Sequence, residues 1–167
     1  LISKQLLEDD GSIERAASLV SNFSEPPVFI GRGPSSYIAK EGALKMMEIS
    51  YISCIAVPGG ELKHGPIALL SEGTPVIAVT PSDSSINLME SSIRECKSRG
   101  AKIILISDNE GPISDLADIL IPIEKTIDIL SPLVGIVPLQ LLAYKVGKLR
   151  GVNVDRPRNL AKSVTVV

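Results

Sequence analysis

Tryptophan is absent from this 167-residue chain, which holds only two phenylalanines and three tyrosines. A core must therefore be aliphatic, drawn from Ile, Leu, Val and Ala within an apolar content of 44%. The same scarcity removes the aromatic platforms that stack bases. No basic run makes up for it, and the net charge is −2. Nucleic acid is excluded as a partner on both counts. Histidine occurs once, at His64, and cysteine twice, at Cys54 and Cys96, without metal-ligand spacing. Neither a metal nor a cofactor is expected. The two thiols read as buried and reduced, which points to a cytoplasmic protein. No signal peptide opens the chain. Its first residue is Leu1, so a single domain cut from a longer protein is expected. The most apolar stretch, "ILSPLVGIVPLQLLAY", carries two prolines and a glutamine. It falls short of the ~20 residues a bilayer needs, and predicts a buried helix and no membrane partner.

What is present alternates. An amphipathic opening segment breaks at Asp10-Gly11. "PPVFIGRG" reads as a first strand and "SYIAKEGALKMMEISY" as a helix. "SCIAVPGG" is a second strand, "ELKHGPIALLSEG" a loop with a short helix, and "TPVIAVTPSD" a third strand. A helix over "SSINLMESSIRECKSRG" leads to strands "AKIILISDN" and "ADILIPIE". A long helix follows over about residues 131–150, with Pro132 in its first turn and Pro138 perturbing an early one. The tail is irregular and ends in an edge strand. Continuous Val/Ile runs between helices predict a three-layer α/β/α domain with a five-stranded parallel sheet covered on both faces. Residues 1–26 form a helical segment packed on a domain spanning 27–167. Ligands of such a sheet bind beyond the carboxyl ends of its strands, at turns 31–36, 58–64 and 80–85.

Three constellations carry chemistry. In the first helix after a strand, Glu41, Lys45 and Glu48 fall within an arc of about 60°. The rest of that circumference is mostly apolar, so the narrow stripe is expected to face a cleft on the edge shared with residues 31–36 and 80–85. The plainer reading is a solvated seam with one favourable i,i+4 pair. "GRGPSS" is a glycine turn into a helix start, suited to an anion, with Arg32, Ser35 and Ser36 as candidate substrate contacts. It lacks the GxGxxG pattern, and Ser35 or Ser36 also suits helix capping. Lys162, between Ala161 and Ser163, sits in a tail more apolar than a solvated terminus. A poorly solvated lysine can be neutral and attack a carbonyl. His64 stands in "PGGELKHGP", where prolines and glycines shape the backbone.

"GRG", "EGALKMMEISY", "GGELKHGP", "VPLQLLAY" and "DRPRNLAKSVTV", in this order from residue 27 to the end, resemble the glutamine–fructose-6-phosphate aminotransferases, the glucosamine-6-phosphate synthases. The likeness is to the last of their three domains, the second sugar isomerase (SIS) domain, which is flavodoxin-like. It implies that Lys162 forms a Schiff base with an open-chain ketose phosphate and that Glu48 moves a proton between C1 and C2. His64 would open the sugar ring in a neighbouring subunit's site. Lys45 would support the developing oxyanion, Glu41 would contact substrate or orient Lys45, and Ala161 would touch substrate. A homodimer or larger assembly follows from the role of His64.

The chain departs from the family at Ser36, Tyr37, Lys40 and Val167, none of them in that catalytic set. It carries neither the glutaminase nor the first SIS domain with the phosphate loop. The isolated chain is therefore expected to be incomplete as an enzyme, its missing domains supplied in cis or in trans. Two other readings stand beside this one. A stand-alone homodimeric phosphosugar isomerase would build its phosphate site from Ser35, Ser36, Ser82, Ser84 and Ser85. A non-catalytic sugar-phosphate sensor would not need Lys162, Glu48 and His64.

Overall fold

The computed structural model describes residues 11–81, 85–108 and 111–160. Gly11, at φ 86°, caps helix α1 (Ser12–Asn22). Its Ile13, Ala16, Ala17 and Val20 form one buried i, i+3, i+4, i+7 stripe. Strand β1 (Val28–Gly31) turns into α2 (Pro34–Ser50), and β2 (Ile55–Pro58) follows. Helix α2 starts two residues before the expected segment. Gly33 takes φ 53° at the cap and Pro34 supplies the preset φ of the first turn.

The loop after β2 is more ordered than expected. Two 3-10 helices, Gly59–His64 and Pro66–Leu69, join it to β3 (Pro75–Val79). Then come α3 (Ile86–Lys97), β4 (Lys102–Ser107), β5 (Ile119–Pro122) and α4 (Ser131–Leu149). Pro132 lies in the first turn of α4, as expected, and the helix runs on through Pro138. The edge strand expected at the end of the tail falls on residues outside the described set.

All five strands pair in parallel, in the order β2-β1-β3-β4-β5. The flavodoxin-like order places β1 between β2 and β3, which is the topological switch point. The strands at the two edges, β2 and β5, have four residues each and both end in proline. Side chains alternate between two cores. Phe29, Ile77, Val79, Ile104, Ile106 and Ile121 pack under α1, α2 and α4. Val28, Ile30, Val76, Ala78, Ile103 and Leu105 pack under α3 and Leu62. Burial on both faces is why these strands read as unbroken aliphatic runs.

Within the segment Asp128–Leu149 an 18-residue stretch has a mean hydropathy of 1.6, so by length and composition the helix is apolar enough to cross a membrane. That corrects the expectation that it falls short. In the fold its Leu139, Leu142, Ala143 and Val146 are buried in the α1–α2–α4 core. Helices α2 and α4 run side by side in the same direction, and glycine keeps them close. A Cβ on Gly42 would stand 2.8 Å from Leu139 Cδ1, and one on Gly147 only 2.6 Å from the Ile49 carbonyl oxygen.

Candidate active site

Helix α2 holds Glu41, Lys45 and Glu48 as one linked row. The Lys45 ammonium lies 2.7 Å from Glu48 Oε2 and 3.3 Å from Glu41 Oε1. Side-chain exposure falls along the row, from 40% at Glu41 to 31% at Lys45 and 26% at Glu48. The hydrogen bond to Glu48 raises the Lys45 pKa against a smaller desolvation effect, and Glu41 adds to the rise. Lys45 therefore stays a cation at neutral pH. Such an ammonium can stabilise negative charge, but it is a poor amine nucleophile.

The row does not share an edge with the 31–36 turn as expected. Helix α2 leaves the carboxyl end of β1 and returns to the start of β2, antiparallel to the strands. At 1.5 Å per residue, Glu48 lies about 20 Å along the axis from Pro34. The row thus descends the outside of the α2–α4 layer.

The tail comes to that far end. Val152 N–H donates to the Gly147 carbonyl at 3.0 Å, and Val154 packs where a Cβ on Gly147 would otherwise be. The Arg158 N–H donates to Tyr51 Oη at 2.7 Å, and its guanidinium stands 4.2 Å from the Tyr51 ring centroid. Tyr51 closes α2, three residues after Glu48, and holds φ 59° without being glycine. Sequence reasoning assigned Tyr51 no role. One of three tyrosines, directly after the charged stripe, was the available signal. Ala161 and Lys162 lie outside the described residues.

His64 is exposed at the end of the 3-10 helix Gly59–His64, directly after the edge strand β2. Buried Leu62 pins this helix to the sheet, and Gly65, at φ 140°, turns the chain away in a conformation only glycine takes readily. The loop thus combines an anchored root with a projecting imidazole.

Arg32 belongs elsewhere. It turns toward α3, on the other side of the sheet, and its Nη1 would lie 2.9 Å from a Cβ on Gly60. Ser35 is buried in the first turn of α2, while the Ser36 hydroxyl donates to the Gly33 carbonyl at 2.7 Å. Gly33 itself occupies the cap position, so neither serine caps the helix. Ser85 precedes α3, and Ser82 and Ser84 fall outside the described residues. Among the described residues no three His, Cys, Asp or Glu side chains gather as a metal site would require. Burial pushes both thiols, Cys54 and Cys96, up to about 12.

The family model described as "SIS domain" matches residues 27–147. The chain belongs to the SIS domain family. It is 54% identical over 138 residues to the glutamine–fructose-6-phosphate aminotransferase (isomerizing) of Thermococcus kodakarensis, covering 83% of this chain and 23% of that protein. Against the enzyme of the same name from Pseudomonas syringae pv. tomato it is 43% identical over 163 residues, covering 97% and 26%. The chain thus spans about a quarter of the length of the curated relatives it matches.

Among solved structures it resembles the C-terminal domain of glucosamine-fructose-6-phosphate aminotransferase from Francisella tularensis. That match has a TM-score of 0.83 and 37% identity, over 93% of this chain and 44% of that one. A glucosamine-6-phosphate deaminase from Thermotoga maritima matches with a TM-score of 0.69 and 27% identity, over 92% and 46%. The SIS domain of this chain is therefore of the kind that ends the aminotransferases.

Proposed function

We propose that this chain is the isomerase-type SIS domain of a glucosamine-6-phosphate synthase, acting on fructose 6-phosphate. The observation that carries the reading is the meeting of the Lys45–Glu48 pair with the docked tail at Tyr51. Only three residues lie between Arg158 and Lys162, so the chain between them spans at most ~14 Å. Because Lys45 is held as a cation, the nucleophilic amine falls to the other lysine of the motif set, Lys162.

Lys162 adds through Nζ to C2 of the open-chain ketose, and the carbonyl oxygen leaves as water. Ammonia from a glutaminase then displaces the lysine and leaves its nitrogen on C2. Glu48 takes a proton from C1 and returns one to C2 while the O1 proton passes to the imine nitrogen, which yields the 2-amino aldose. Lys45 faces the negative charge that develops as C1 loses its proton, and Glu41 keeps Lys45 in line. The ring-opening proton transfer belongs to His64 in a neighbouring copy, which agrees with its exposed place past an edge strand. Ala161 contacts the sugar beside Lys162.

Residues 1–26 are assigned to an N-terminal segment whose α1 packs on the SIS domain of 27–167, in a cytoplasmic homodimer or larger assembly. A glutaminase and a first SIS domain, in cis or in trans, complete the enzyme. Borohydride reduction in the presence of fructose 6-phosphate and the first SIS domain should label Lys162 alone. Lys162→Arg should abolish the label. A label spread over several lysines, or unchanged in the variant, sinks the reading.

A further inference from the structure

The cavity around Arg32 has no part in the reaction just described. It lies where the β1 turn, the 3-10 helix Gly59–His64 and α3 meet, and encloses about 170 Å³. Both glycines of "PGG" build it. A Cβ on Gly59 would stand 2.8 Å from Met89 Sδ, so glycine lets the 3-10 helix settle on α3. There the Ser92 hydroxyl donates to the Gly59 carbonyl at 3.1 Å. Any side chain at Gly60 would displace the Arg32 guanidinium.

The loop therefore makes room for an arginine that has no acceptor among the described residues. Lys63, on the same wall, has none either. A half-buried guanidinium without an acceptor is costly, and its planar fork matches phosphate oxygens. Among the described residues Glu95 is the one carboxylate lining the cavity, and Ser91 lines it too. A carboxylate disfavours a bare anion but accepts hydrogen bonds from hydroxyl groups. The volume is below the ~300 Å³ of ordinary ligand pockets and too small for a nucleotide.

We infer that Arg32 and Lys63 bind the phosphate of a small phosphorylated polyol, of the hexose phosphate class, whose hydroxyls face Glu95. This site lies on the α3 side of the sheet, away from the Glu41–Lys45–Glu48 row. It stands whether or not Lys162 acts as a nucleophile.

Calorimetric titration of the 167-residue chain tests it, with fructose 6-phosphate, inorganic phosphate and fructose as probes. Fructose 6-phosphate should bind saturably, inorganic phosphate more weakly, and fructose not at all. Arg32→Gln and, separately, Lys63→Gln should each weaken the sugar phosphate by about tenfold. Glu95→Gln should strengthen inorganic phosphate, whereas Lys125→Gln, on an exposed loop outside both sites, should change nothing. Lys63 is exposed, so its variant decides the matter should Arg32→Gln fail to fold. Equal binding of fructose, equal or tighter binding of inorganic phosphate, no saturable binding of the sugar phosphate, or indifference to Lys63→Gln would each overturn the assignment. Loss of binding in Glu48→Gln would move the ligand to the proposed reaction centre and overturn it as well.

Discussion

Arg158 reaches back across 107 positions to Tyr51, giving its backbone N–H to the phenol oxygen and laying its guanidinium over the ring. Those two contacts bind the tail to the helix end that carries Glu48. Tyr51 also sits at φ 59°, a strain tolerated only where the surroundings fix it. Tyr51→Phe removes the acceptor and keeps the ring. The loss of one hydrogen bond, ~1 kcal/mol, should speed deuterium exchange of the Arg158 amide by about fivefold while leaving α2 and the sheet unchanged. An unchanged Arg158 amide would mean that the tail is held by other contacts.

Glu48→Gln should leave the fold intact and cut glucosamine 6-phosphate formation by at least about 100-fold in the assembled enzyme. Borohydride trapping at Lys162 should survive in this variant, because in the proposed sequence of steps the Schiff base forms before the proton transfer. Turnover near the parent rate would assign the C1–C2 step to another base.

Asp118 ties β5 to β4 and α3. It accepts the Ile103 N–H at 2.9 Å and pairs with Lys97 and Lys102, each at 3.3 Å. Burial alone would raise its pKa, but these donors outweigh burial and lower it below the ordinary 3.8. A lowered folded value means that its stabilisation is whole above the unfolded pKa. It is lost as pH falls through the folded one. Urea midpoints should therefore drop in acid, below the ordinary carboxyl range. Asp118→Asn should cost roughly 1–2 kcal/mol at neutral pH and flatten that acid limb. A parallel acid limb in the variant would place the titration elsewhere.

Cys96 is fully buried, and burial pushes its thiol up to about 12. At pH near 8 an aromatic disulfide reagent should modify it only at the rate of unfolding, and at once in urea. Fast native labelling at Cys96 would show that the α3 side of the core opens on its own.

Gly147 brings α4 against the Ile49 carbonyl and under Val154. Gly147→Ala should cost about 1–3 kcal/mol through the clash and loosen both the helix seam and the tail above it. Calorimetry should show a lower Tm. An unchanged Tm would mean that the helices separate without strain.

Strands β3 and β4 were legible because their Val/Ile runs lie between two helical layers and need no alternation. The charged row was legible too, since 100° per residue places Glu41, Lys45 and Glu48 together whatever the fold. Its place along α2 was not. The helix runs away from its glycine turn, so a shared face did not mean a shared edge. A short helix was expected in this stretch, but its form as two 3-10 helices, Gly59–His64 and Pro66–Leu69, escaped because glycine and proline signal a turn without saying which one. The Tyr51–Arg158 and Gly60–Arg32 contacts join distant positions, and no local pattern announces either.

The two outermost strands of the sheet have a consequence for crowding. Among the described residues nothing pairs with the outer sides of β2 and β5, and such open borders are the usual template for runaway stacking of one chain upon another. Here each border is only four residues long, and Pro58 and Pro122 each strike out a donor at the same end. A second molecule trying to extend the sheet would find a short ladder with its last rung missing. Among the described residues, the surfaces best suited to association between copies are therefore helix faces and loops rather than the sheet borders.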